Sequence, residues 1–253
     1  MASVIGSFGK GVDGSVSINF GISGGKNCSK RCVHHPKAKR KNATRACYAA
    51  KLETRPDRQQ LKAKLERHDA MPAWKICGIA LVELQDMESR GTLPPWVRFS
   101  TNGSLPMPGE VNSLFKSQLR ALVTWLSTRG VPVHFPIETE DKAQFYRELV
   151  GDLVTVRESL QSPGMHASAR GPVSWVAGSD IHGKDTFIRR IEAARQECRQ
   201  RLATVGRKAV VCPAVVAGFM ARMKGGTKNE KAKCGNCNAC SLEHIDVCYP
   251  QHN

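Results

Sequence analysis

Between Trp96 and Val211, short β-patterned runs alternate with longer amphipathic stretches, and that alternation restricts the chain to a small set of folds. Trp96–Ser100 reads as a strand and Glu110–Arg129 as a helix with Leu114, Leu122 and Leu126 inward. Val131–Ile137 is the next expected strand and Asp141–Val150 the next helix. Leu153–Val156 and Ser174–Ala177 follow as strands, then Thr186–Ala203 as a charged amphipathic helix, then Lys208–Val211 as a last strand running into Cys212. Ahead of them, the Gly- and Ser-rich stretch Gly6 to Gly25 reads as short strands and turns. Tyr48 to Arg90 has helical composition broken at Pro72, with Leu61, Leu65, Leu81 and Leu84 at helical spacing. Strands alternating with helices build βαβ units, whose crossovers make neighbouring strands parallel. The expected fold is therefore α/β: a single domain over residues 1–253, an open or partial (β/α) barrel with cysteine-rich N- and C-terminal segments. A doubly wound sheet satisfies the same alternation.

No run approaches the ~18 apolar residues that a membrane helix needs. The opening residues Met1 to Gly6 lack the basic flank and apolar block of an export signal, so the cytoplasm is the expected compartment. There, the ten cysteines are read as thiols kept for metals or catalysis, not as a disulfide framework. They are unevenly spread. Cys28, Cys32 and Cys47 fall in a basic loop, 26–48; Cys212, Cys234, Cys237, Cys240 and Cys248 fall in a C-terminal segment, 212–248; only Cys77 and Cys198 lie between.

Cys234-Gly-Asn-Cys237-Asn-Ala-Cys240 sets three thiols at successive three-residue steps. Zinc sites pair one close Cys-x2-Cys with a distant pair. Three close cysteines joined by a distant Cys-Pro are the pattern of iron–sulfur ligation. Cys212-Pro213 supplies that fourth ligand, so an iron–sulfur cluster is expected on Cys212, Cys234, Cys237 and Cys240, with zinc as the alternative. Cys248 and His244 are other candidates for the fourth position. The N-terminal trio, Cys28, Cys32 and Cys47, would leave one iron of a four-iron cluster open to a substrate or cosubstrate. His34 and His35 could complete that shell, and metal-free thiols are the plainer reading.

The formal charge is +16, from 38 Lys and Arg against 22 Asp and Glu, and a charge of that size speaks to polyanionic partners. Lys26, Lys30, Arg31, Lys37, Lys39, Arg40, Lys41 and Arg45 surround the first cysteine group with no acidic residue among them. Arg222, Lys224, Lys228, Lys231 and Lys233 lead into the second group. DNA or RNA is the expected partner, contacted by Lys30, Arg31, Lys37, Lys39, Arg40, Lys41 and Arg45. A basic surface kept for solubility is the bland alternative.

Asn27–Ala49, ending in Ala-Cys47-Tyr48-Ala49, resembles the cysteine segment of a family of phage and plasmid proteins, the gene-product-eighty-eight family. Val97-Arg-Phe-Ser-Thr-Asn-Gly-Ser104, Val133-His-Phe-Pro-Ile-Glu-Thr139 and Thr155-Val-Arg-Glu-Ser159 are similar to its successive strands. Val211-Cys-Pro with the Cys234–Cys240 box is similar to its C-terminal cysteines. The family looks like a relative of radical-SAM enzymes, which carry a three-cysteine cluster at the mouth of a partial barrel. The resemblance implies one or two 4Fe-4S clusters: one on Cys28, Cys32 and Cys47, able to take S-adenosylmethionine, and an auxiliary one on the C-terminal four. Cys32 and Cys47 stand 15 residues apart, wider than the Cys-x3-Cys-x2-Cys of radical-SAM sites. In such a barrel, chemistry sits at the C-terminal ends of the strands, which singles out Asn102, Glu138 and Arg157 as catalytic candidates, with Asp180 beside them.

Other chemistries are excluded or weak. No Gly-x4-Gly-Lys-Ser/Thr phosphate loop and no His-Glu-x2-His occurs. Gly21-Ile-Ser23-Gly24-Gly25 has the letters of a nucleophile elbow, but a basic cysteine loop follows it where a helix is needed. A nuclease lacks a convincing acidic cluster. Two readings stay open: a radical-SAM-like iron–sulfur enzyme of a mobile element acting on nucleic acid, and a non-enzymatic accessory protein. In the second, iron–sulfur or zinc staples a DNA- or RNA-binding domain, for example to interfere with conjugation or a competing element.

Overall fold

The computed structural model describes residues 3–7, 14–22, 25–27, 59–100, 104–160, 164–169, 171–178, 180–181, 186–223, 237 and 239–250. The alternating pattern becomes one eight-stranded sheet. Its strands are β1 (Ile5–Ser7), β2 (Val16–Ile18), β3 (Val97–Phe99), β4 (Val133–Ile137), β5 (Val156–Ser159), β6 (Val173–Ala177), β7 (Lys208–Val211) and β8 (Ile245–Pro250). They lie in the order β1-β2-β3-β4-β5-β6-β8-β7, with β1 antiparallel to β2 and every other neighbouring pair parallel. The helices are α1 (Gln59–Ala70), α2 (Ala73–Ser89), α3 (Ser113–Thr128), α4 (Glu140–Val150), α5 (Thr186–Val205) and α6 (Pro213–Met223). Among the described residues no helix is long and apolar enough to cross a membrane.

From β2 to β6 the strands stand side by side in chain order. A doubly wound sheet reverses at a switch point, and this one advances in a single direction, the winding of an open (β/α) barrel. The order changes only at the far edge, where β8 enters between β6 and β7.

One face of the sheet is apolar because α2, α3 and α4 cover it. Val16 and Ile18, Val97 and Phe99, and Val133, Phe135 and Ile137 meet Ile76, Ala80, Leu84, Phe115, Leu119, Leu122 and Tyr146 in one buried cluster. Phe135 stacks on Phe99 at 4.8 Å between centroids; emptying such a site to alanine costs about 3–5 kcal/mol. The stripe on α3 runs through Phe115, Leu119, Leu122 and Leu126. Leu114, one residue off that stripe, is 44% exposed and so is not one of the inward residues. Asn112 caps α3, its side chain accepting from Phe115 N at 2.8 Å.

Two elements differ from the sequence reading. A 3-10 turn at Gly151–Leu153 follows α4, with Gly151 at φ 56°, so β5 begins later, at Val156. Arg157 therefore lies near the start of its strand and not beyond its end. The strand β8 is absent from the sequence reading, because Asp246 and Cys248 interrupt its apolar alternation; both are fully buried.

Candidate metal centre

Strand alternation sends every second residue to the face opposite α2–α4. In register across the sheet these are Ser17, Arg98 and His134, then Pro136 and Arg157, then Ser159, Ser174 and Val247, with Tyr249 beside Val176. Parallel sheets are ordinarily apolar on both faces. This one carries hydroxyls, an imidazole and two guanidinium groups on its inner side, and Ser17, His134, Arg157 and Ser174 are all buried.

Arg157 organises the C-terminal cysteines. Its side chain is fully buried and its donors end on main-chain carbonyls: Nε on Cys240 at 3.2 Å, Nη1 on Val173 at 2.9 Å, and Nη2 on Ala239 at 3.4 Å and Leu242 at 2.7 Å. Thr155 Oγ1 adds a bond to the Ser241 carbonyl at 2.9 Å. The 3-10 turn Ala239–Ser241 is thereby pinned against the inner face of β5. Cys212 sits at the end of β7, its N–H donating to the Cys248 carbonyl at 2.8 Å. Cys212, Ala239 and Val247 form a buried apolar cluster, and Cys237, Cys240 and Tyr249 pack on it. Three of the four expected C-terminal ligands thus pack around one apolar cluster; the fourth, Cys234, lies outside the described residues.

Burial and nearby charge act against each other on the thiol of Cys240. Burial pushes the Cys240 thiol up, opposed by the Tyr249 hydroxyl 3.0 Å from its Sγ and by the positive charge of Arg157 and Arg98. Burial, followed by the nearby Cys240 and Cys212, holds the Tyr249 phenol well above its ordinary range. A soft metal or cluster replaces such a buried thiol proton, and flanking cations favour the thiolate. Among the described residues no group of three or more His, Cys, Asp or Glu side chains is drawn together closely enough to hold a metal ion.

Cys248 belongs elsewhere. It packs with Cys198 of α5 on the opposite face, beneath Trp175, and hydrogen-bonds that thiol. His134 is 2% exposed and stacks on Trp96, and among the described residues neither ring nitrogen has a hydrogen-bond partner. Burial, with Arg98 and Arg157 adding to it, holds its imidazole well below the usual histidine range.

Glu138 follows directly on β4, at the strand end where barrel chemistry is expected. Both its carboxylate oxygens accept from Ser104 Oγ, at 2.7 and 2.8 Å, and Oε1 also accepts from Lys142 Nζ at 2.8 Å. Lys142 Nζ donates in turn to Ser104 Oγ at 2.7 Å, and its side chain is fully buried. Tyr146, one turn on, donates to the Pro106 carbonyl at 2.9 Å. The Glu138–Lys142 pair therefore ties the loop after β3 to the start of α4. A cleft of about 440 Å³ opens beside Pro106, between Lys26, Trp74 and Phe115.

Asp180 is exposed beyond β6. Asn102, the trio Cys28, Cys32 and Cys47, and the basic residues Lys30, Arg31, Lys37, Lys39, Arg40, Lys41 and Arg45 lie outside the described residues, as do Ser23, His34 and His35. Sequence reasoning missed Ser104, Lys142 and Tyr249. Lys142 stands four residues after Glu138, the one-turn spacing of a helical ion pair, and that signal was readable. Comparison with protein-family models, with curated proteins and with solved structures found no match for this chain.

Proposed function

We propose that this chain is an iron–sulfur protein of a mobile genetic element, a radical-SAM-like partial barrel that binds nucleic acid through its basic segments. One observation supports the cluster reading: the turn bearing Cys240 is clamped by a fully buried arginine, against an apolar nest that also includes Cys212 and Cys237. Cys212, Cys237 and Cys240, with Cys234, would hold the auxiliary cluster, which supplies one-electron chemistry when bound. The winding of β2 to β6 supports the barrel half of the reading. Net charge and the basic runs support the nucleic-acid half.

Anaerobic purification with iron and acid-labile sulfide analysis tests the cluster. Iron and sulfide in a near-equal ratio are expected, and zinc without sulfide refutes it. Binding to DNA and RNA titrated against salt tests the partner. A steep negative log–log slope is expected, and a slope near zero means that the charge makes no phosphate contacts.

The non-enzymatic accessory reading is favoured by the wide Cys32–Cys47 spacing. Dithionite reduction in the presence of S-adenosylmethionine separates the two: 5′-deoxyadenosine marks an enzyme, and its absence from a protein with an intact N-terminal cluster marks an accessory.

A further inference from the structure

The cleft of about 440 Å³ is walled by the segments that follow β2, with Lys26 and Asn27, and β3, with Pro106 and Glu110, and by the starts of α2 and α3. It thus opens at the C-terminal ends of two neighbouring parallel strands, where a (β/α) architecture places its ligands. Half-buried Trp74 and buried Phe115 give it aromatic walls. Phe115 belongs to the core between the sheet and its helices, so the cleft opens over that layer and not over the inner face.

Three hydrogen bonds hold the rim that carries Lys26 and Asn27. Gly25 N–H donates to the Ile22 carbonyl at 2.9 Å, Lys26 N–H to Asp69 Oδ1 at 3.2 Å, and Asn27 Nδ2 to the Phe20 carbonyl at 2.9 Å. The last bond orients the Asn27 amide, because only its nitrogen can donate to a carbonyl. Asn27 is 4% exposed, and among the described residues its Oδ1 accepts no hydrogen bond. A fixed acceptor left open on a cleft is a group that orients a ligand through its N–H or O–H. Lys26 Nζ spends one of its three hydrogens on the Met71 carbonyl at 3.2 Å and keeps two at the exposed rim.

Together these groups select a ligand class. The aromatic wall suits a flat ring, the Asn27 oxygen a donor on that ring's edge, and the ammonium an anion on the same molecule. Glu110, exposed on the rim, is an acceptor suited to sugar hydroxyls. A nucleotide whose base carries an exocyclic amine meets all four. A sugar phosphate lacks the ring, and a purely apolar ligand leaves Asn27 unmet.

We propose that the cleft is a nucleotide-binding site, with the base on Trp74, its amine on Asn27 Oδ1 and its phosphate beside Lys26. A free nucleotide and an unpaired nucleotide within a single strand carry the same chemistry. The site uses neither the cysteine nest nor the long basic runs, so it stands or falls without them.

Isothermal titration of the full chain with adenosine monophosphate at up to millimolar concentration tests it. Inosine monophosphate, which has a carbonyl in place of the amine, and ribose 5-phosphate, which lacks the base, are the comparison ligands. Adenosine monophosphate is expected to fill one site per chain, with both comparison ligands weaker by about tenfold or more. Trp74→Leu, its fold checked by circular dichroism, should weaken adenosine monophosphate by a similar factor, and Lys26→Gln should erase its advantage over adenosine. A single-stranded oligoadenylate separates the sources. A strand that adenosine monophosphate displaces identifies an unpaired nucleotide as the ligand, and one that it does not displace identifies a free nucleotide. No binding of adenosine monophosphate, equal affinity for inosine monophosphate, or an affinity unchanged in folded W74L overturns the inference. Should W74L fail to fold, the comparison of the two monophosphates on the unaltered chain decides alone. Salt-dependent duplex binding by a chain that ignores adenosine monophosphate removes this site and leaves the nucleic-acid reading standing.

Discussion

Asp246 is the carboxylate on which the C-terminal half of the sheet depends. Its side chain is fully buried, and Oδ2 accepts from Arg201 Nε at 2.7 Å. Arg207 Nε lies 3.2 Å from Oδ2, Arg157 Nη1 lies 3.8 Å from Oδ1, and Val173 N–H donates to Oδ1 at 3.0 Å. Asp246→Asn keeps the shape and removes the carboxylate charge that faces three guanidinium groups. Arg207, 23% exposed at its side chain, can turn toward water; Arg157 and Arg201, fully buried, cannot. Removing one partner of a buried ion pair costs about 3–5 kcal/mol, and the Val173 N–H is put at risk besides. A loss of about 4 kcal/mol is large against a native stability of about 5–15 kcal/mol. For a chain of this length it lowers Tm by roughly 10 °C, at about 2–4 °C per kcal/mol. Urea unfolding followed by circular dichroism measures it, with an unchanged m-value expected. A D246N protein within about 1 kcal/mol of wild type would refute the argument that this carboxylate neutralises otherwise stranded buried cations.

Three further outcomes are expected. Glu138→Gln leaves the buried Lys142 ammonium with neutral partners and costs about 3 kcal/mol, Lys142→Met costs less because Glu138 can reach water, and the double variant in a urea cycle shows a coupling above about 1 kcal/mol. His134 has a depressed folded pKa, so only the unfolded state takes up its proton, and stability is lost as pH falls below about 6.5. His134→Phe should flatten that acid-side loss by up to about 1.4 kcal/mol per pH unit in urea melts at pH 7, 6 and 5. At Gly178, with φ 67°, an added Cβ would meet Arg190 Cγ at 2.8 Å, whereas at Gly206, with φ 73°, it would meet nothing within 4 Å. Both alanine variants pay a left-handed backbone cost of about 1–2 kcal/mol, and Gly178→Ala should unfold at lower urea by a further ~1–3 kcal/mol.

The winding of the sheet was legible because its central strands and helices carry clean periodicities: Val133, Phe135 and Ile137 alternate, and Phe115, Leu119, Leu122 and Leu126 repeat at helical spacing. What could not be read was any element whose residues answer to two environments. The alternation of β8 is broken by Asp246, which faces Arg201, and by Cys248, which faces Cys198. A polar letter in a central strand looks like a turn until its buried partner, 45 residues away for Arg201, is known. The same holds at the site. Cys237 and Cys240 read as metal ligands by their spacing alone, while Arg157 read as a catalytic group at a strand end. Its donors go to carbonyls of the cysteine turn, more than 80 residues further along the chain. Pairings of that separation leave no local pattern.

The buried cations also change how the net charge should be used. Lys142, Arg157, Arg190 and Arg201 are all buried, and their partners are carbonyls and carboxylates of this chain. They count toward the +16 but serve the fold, so that total overstates what is offered to a polyanion. A phosphate backbone can be met only by groups that reach solvent, which puts the nucleic-acid reading on the basic runs of segments 26–45 and 222–233. Replacing two lysines of the first run by glutamine should therefore reduce the salt slope of duplex DNA binding by about 0.9 for each phosphate no longer neutralised, with no change in stability. Replacing a buried arginine should do the reverse, lowering stability at an unchanged slope. A slope that follows the buried set instead would separate total charge from phosphate binding, and would remove the main support for a nucleic-acid partner.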